Sequence, residues 1–177
     1  MIILALVFFN HQVQQEIWKR LQLLIEFQFL DQVITKGEFM LKTLAIYLRF
    51  KQLFAHNCHN LVSKPTFFSD HEFLGSLYGQ AEGWYDGCIE RMIGLGETPD
   101  LVAIQVEAAD YLKGAKYNPE DNQACFQMLL NITKEILAEI EKLVKSGKLS
   151  QGTLQMVGTI ADLEEVNVYK LKRRLKG

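Results

Sequence analysis

At 177 residues, with 49% apolar and 11% aromatic residues, the chain suits one domain with a sizeable core and is too apolar to be disordered. Its formal net charge of −2 provides no global field to recruit nucleic acid. The three cysteines, Cys58, Cys88 and Cys125, form no CxxC pair and are odd in number, which fits a reducing cytoplasm better than a disulfide framework.

In chain order, the opening MIILALVFF run is apolar for only nine residues, whereas a membrane-spanning helix needs about 20. It also lacks the basic start and small-residue cleavage site of a secretory leader. Neither a span nor a leader is therefore expected. Residues 13–31 are compatible with a helix, and residues 1–33 are read as an N-terminal extension ahead of a bundle over 34–177. Thr35 and Glu38 form a capping box, and apolar residues at Leu41, Leu44, Ala45, Leu48, Leu53 and Phe54 keep helical spacing to about residue 60.

Pro65 breaks that pattern, because it disfavours helix at the residue before it. Ser69 with Glu72 predicts the next helix start, followed by a broad apolar face from Leu74 to Ile93. Gly75, Gly79, Gly83 and Gly87 recur every four residues on this helix. They either admit another backbone closely or are tolerated by a well-packed helix. Gly94, Gly96 and Pro99 end it, and a short helix is expected over 100–112. Asn118-Pro119-Glu120-Asp121 reads as a strong helix start. The period then runs through Phe126, Leu129, Ile136, Ile140, Leu143 and Val144 to Gly147. Ser150 opens a last helix with Leu154, Val157, Ile160, Ala161, Val168, Leu171 and Leu175 facing inward. The expected fold is all-α: a four-helix bundle whose second and third long helices are joined by a long crossover holding a short helix. Such a crossover lets those two long helices lie parallel.

The chemistry concentrates between His59 and Glu90. His59 and His71 are twelve apart, and Asp86 and Glu90 follow on the same helix. Two imidazoles and two carboxylates are the ligand set of a transition metal, iron in particular. Asp86 and Glu90, four apart, share a helix face. His71 and Asp86 lie about 22 Å apart along one helix at 1.5 Å per residue, too far for one ion. An antiparallel, two-fold-related copy would bring His71 of one chain to Asp86 and Glu90 of the other.

This segment resembles the Dps-type miniferritins. Their first two helices carry a His, a loop of the form V-x-G-P-x-F, a second His, and an Asp and Glu pair. Val62, Pro65, Phe67 and Phe68 match the loop, and His59, His71, Asp86 and Glu90 match the ligands in type and spacing. The resemblance implies a ferritin-like four-helix bundle in a cytoplasmic homo-oligomer, a hollow dodecamer of two-fold dimers. It further implies Fe²⁺ as the metal, oxidised by peroxide or dioxygen at dimer-interface ferroxidase sites, with the iron stored in protection against oxidative stress. No catalytic residue beyond the metal ligands and no organic cofactor is implied. His59 would join Asp86 and Glu90 at one iron, with Glu90 shared, and His71 would serve the second, helped by an Asp one turn on. That Asp is replaced by Gly75, and Asn60 stands where the family has Trp. One strong iron position and one weak one are expected, and a weakened ferroxidase. The alternative is a structural assembly with a degraded, non-catalytic site.

His56 is read as structural or surface, His11 has no role, and Trp84 and Tyr85 are read as interface packing. Lys170, Lys172, Arg173, Arg174 and Lys176 are read as cations complementing a helix C-terminus. DNA binding through them is therefore not favoured.

Overall fold

The computed structural model describes residues 41–176. The predicted cap at Thr35 and the extension over 1–33 lie outside these residues. Five helices and no strand are present among them. They are α1 (41–61 as described), α2 (Phe67–Gly94), α3 (Leu101–Gly114), α4 (Asn122–Lys145) and α5 (Gln151–Arg174). α1, α2, α4 and α5 form the bundle, and α3 lies in the crossover between α2 and α4.

The spacing of apolar residues makes the core. Leu41, Leu44, Leu48 and Phe54 of α1 are fully buried with Leu74 and Leu77 of α2, Phe126 and Leu129 of α4, and Val157 and Leu171 of α5. Each such side chain contributes about 1.5–3 kcal/mol when withdrawn from water. Phe73 stacks on Phe126 with rings 6.2 Å apart and near-parallel, and Asn122 at the start of α4 reaches Asp70 at the start of α2. The second and third long helices thus run parallel, as the crossover requires. Arg174 at the end of α5 also meets Asp70, so α5 runs against them.

α3 is held to α1 by Tyr111, which contacts Tyr47 and Phe50 at 5.4 and 5.7 Å between centroids. Arg49 also donates to Gln105 at 3.0 Å. Asp100 caps α3 by accepting from the Ala103 amide, and Ser150 caps α5 by accepting from Thr153.

Two helix starts differ from expectation. α2 begins at Phe67 after Thr66, leaving Ser69 inside the first turn with its hydroxyl donated to the Thr66 carbonyl. The Thr66 hydroxyl is committed to the Asp70 carboxylate. α4 begins at Asn122, capped by Asp121 through the Gln123 amide. Asn118 instead closes its own turn, accepting from the Glu120 amide through its side chain. Starting later turns Asn122 inward, where it donates to the Ser63 carbonyl at 2.8 Å.

Three side chains expected inward lie outside, Leu154 on α5, Val144 on α4 and Ile93 on α2, which are 39%, 45% and 55% exposed. Tyr85, read as interface packing, is buried in the chain's own core beneath the Arg49 guanidinium. The interior also holds Lys51 of α1, paired with Glu164 of α5, both about 1% exposed. Asn167 bridges Glu164 to Gln80 of α2 at 3.3 and 3.2 Å. Burial pushes the Lys51 ammonium below its ordinary pKa, although Glu164 pulls it back up.

Lys64, before Pro65, has φ of +76°, a region where a side chain costs about 1–2 kcal/mol. The glycine of the V-x-G-P-x-F form falls at this position. Lys64→Gly should therefore raise stability by up to about 1 kcal/mol. A thermal melt checks this, and an unchanged or lower Tm would count against strain at this turn.

Candidate metal centre

The geometry at the junction of α1 and α2 begins with Asp70, which is 2% exposed. Arg174 grips its carboxylate with two nitrogens, Nε at 2.6 Å and Nη2 at 2.7 Å, the bidentate fork in which such pairs are strongest. Thr66 donates to it at 2.7 Å and Asn122 approaches at 3.5 Å. The guanidinium also lies over the Phe126 ring at 4.7 Å. The first turn of α2 is thereby tied to the ends of α4 and α5.

His71 is the next residue. Its backbone carbonyl accepts a 2.9 Å hydrogen bond from Nδ1 of His59. A carbonyl cannot donate, so His59 carries its proton on Nδ1, leaving Nε2 with a free lone pair. This is the outer-shell arrangement that orients a metal-binding imidazole. The two rings lie 3.6 Å apart, with Tyr78 edge-on to His59 at 5.3 Å and Phe67 beside His71 at 5.1 Å. Gly75 faces the same spot: a Cβ there would sit 3.6 Å from Cε1 and Nδ1 of His59, in ordinary contact.

The fold therefore brings together two of the four expected ligands, His59 and His71. Asp86 and Glu90 are exposed farther along α2, and no group of three metal-capable side chains occurs among the described residues. Glu90 borders a groove with Gly87, Arg91, Gly94 and Met156. The glycine face is open: a Cβ at Gly79 or Gly83 would meet nothing within 4 Å, and one at Gly87 only Trp84. Within the described chain these glycines admit no close backbone. The sequence reading missed Asp70, Thr66, Asn122 and Arg174, because an acid, an amide and a basic tail carry no periodicity that pairs them.

The Ferritin family model, a ferritin-like domain, matches residues 52–175. The chain belongs to the ferritin-like family. Similar solved structures include a Dps1 mutant from Mycobacterium smegmatis, 17% identical over 82% of this chain and 98% of that one, with a TM-score of 0.71. Dps from Listeria monocytogenes is 20% identical over 79% and 92%, with a TM-score of 0.67. Dps from Listeria innocua soaked with cobalt is 20% identical over 79% and 91%, also at 0.67. At these identities the likeness establishes the fold. No curated protein matches the sequence. No helix of this ferritin-like chain is long and apolar enough to cross a membrane among the described residues, and Cys58, Cys88 and Cys125 are free and buried.

Burial pushes the Asp70 carboxyl up, but hydrogen bonds from Arg174, Thr66 and Asn122 outweigh it and hold the pKa below its usual 3.8. A lowered carboxylate pKa gives stability that is complete above the unfolded value and is lost as pH falls through the folded one. Arg174→Met, which strands a buried carboxylate, should cost about 3 kcal/mol at neutral pH. It should also flatten the loss of stability below about pH 4. Denaturant titrations at several pH values check both, and superimposable parent and variant profiles would contradict the account.

Proposed function

We propose that this chain is a Dps-type iron protein. It pairs about a two-fold axis, binds Fe²⁺ as substrate between two chains, oxidises it with peroxide or dioxygen and retains the product. The observation that carries this reading is the split donor set. His59 and His71 stand together with Nε2 of His59 free, while Asp86 and Glu90 stand exposed on α2. In that helix they lie about 22 Å or more from His71. Only a second chain, arriving antiparallel, joins the halves. The open glycine face of α2 leaves room for such an approach, and Phe68, 84% exposed against the Phe67 ring, supplies apolar surface to cover.

In the assembled site the imidazoles of His59 and His71 give nitrogen donors. Asp86 and Glu90 give anionic oxygens that offset the charge of iron. Two irons supply the two electrons that reduce one peroxide to water. The chain's own contribution is to hold the ligands: the Asp70–Arg174 clamp fixes the first turn of α2, and the His71 carbonyl fixes the ring of His59. By this reading the protein is a homododecameric ferroxidase of the cytoplasm that limits oxidative damage by iron.

A second reading is favoured by Gly75, which leaves the position beside His59 without a carboxylate: a shell whose site binds iron poorly and whose role is structural. Anaerobic Fe²⁺ titration followed by peroxide separates the two. Stoichiometric binding and growth of ferric absorbance are expected in the parent, both largely lost in Glu90→Gln. An oligomer that takes up no Fe²⁺ would leave the structural shell, and a monomer by solution mass would remove the shared site altogether. Because the space beside His59 accepts a side chain, Gly75→Asp should raise the oxidation rate severalfold. An unchanged rate would show that the missing carboxylate is not what limits it.

A further inference from the structure

His56 lies one turn before His59 on α1 and is exposed. Its ring rests on Tyr78, 4.6 Å away between centroids, and stands 6.2 Å from the ring of His59. Its nitrogens make no hydrogen bond among the described residues. Tyr78 lies beside both imidazoles, and residues three apart project from one helix face.

Ring spacing decides which pairs can share an ion. With a metal–nitrogen distance of about 2.1 Å and a ring radius of about 1.1 Å, two imidazoles on one ion have centroids about 4.5 Å apart at a right angle, about 5.2 Å at the tetrahedral angle and about 6.4 Å in line. His56 and His59, at 6.2 Å, fall at the wide end of that range, so the exposed His56 ring closes by about 1 Å to reach a tetrahedral ion. His59 and His71, at 3.6 Å and tilted by 37°, fall below it, so as they stand these two rings do not share one ion.

We infer that His56 and His59 form a bis-imidazole chelate on α1, with His56 a further metal ligand at the ion that His59 holds. This inference rests on His59 being a ligand, as proposed above, and deepens that site. A second imidazole moves its preference from hard, oxygen-seeking cations toward borderline ones such as Co²⁺, Zn²⁺ and Fe²⁺. It also strengthens the position served by His59 without repairing the one at His71, so the two ions are bound unequally.

Co²⁺ is the probe, because its visible spectrum reports ligand type, with Zn²⁺ as competitor on the full-length protein. His56→Ala and His56→Gln should each weaken Co²⁺ binding by at least about tenfold and alter the visible band, with solution mass and helicity unchanged. The Gln variant keeps bulk against Tyr78, so equal loss in both points to the missing nitrogen. Parent-like affinity and spectrum in either variant would overturn the chelate, as would a parent that binds no Co²⁺. Glu90→Gln separates the two proposals. Binding that depends on Glu90 but not on His56 overturns the chelate and leaves the shared site. Dependence on His56 but not on Glu90 supports the chelate and removes the partner's carboxylate.

Discussion

The carboxylate of Asp70, buried and gripped by both arms of Arg174, is the constraint on which this end of the molecule depends. One residue near the start of α2 is bound by the last residue of α5 and approached by the first residue of α4. A buried charge without its partner is costly enough that these three helix ends have little freedom to slide. The His71 backbone follows directly, and its carbonyl sets the proton position on His59. A structural ion pair and the chemistry of an imidazole are therefore consecutive links in one chain of contacts.

Much of the fold was legible because apolar spacing and helix punctuation are local signals. The stripe from Leu41 to Phe54, the break at Pro65, and the helix start at Ser150 need only a window of a dozen residues. The two displaced helix starts show where local signals mislead. Ser69 with Glu72 is a valid capping pattern, yet Thr66 precedes it and the buried carboxylate of Asp70 requires the earlier turn. Asn118-Pro119 is a valid start, yet Asn122 is needed pointing inward. In both cases a long-range polar contact decided between local options.

The candidate metal centre divides in the same way. Spacing picked out His59, His71, Asp86 and Glu90 as candidates; the structure brings the two imidazoles together and adds the contact that fixes the tautomer of His59. It also turns His56, read as structural or surface, into a neighbour of His59 on a shared tyrosine shelf. Arg174 was read as one cation among five at a helix end. Its partner lies over a hundred residues away, and nothing in a sequence window joins them.

The pair of Lys51 and Glu164 carries a further consequence. Ferritin-like bundles offer their central axis as well as their outer faces to metals. Here an ammonium occupies part of that axis, in surroundings where charges are poorly screened. The charges of the pair offset one another, and the carboxylate beside the ammonium is already engaged, so it is not open to a cation. This part of the interior is closed by its own ion pair, whereas His59 and His71 stand at the junction of α1 and α2.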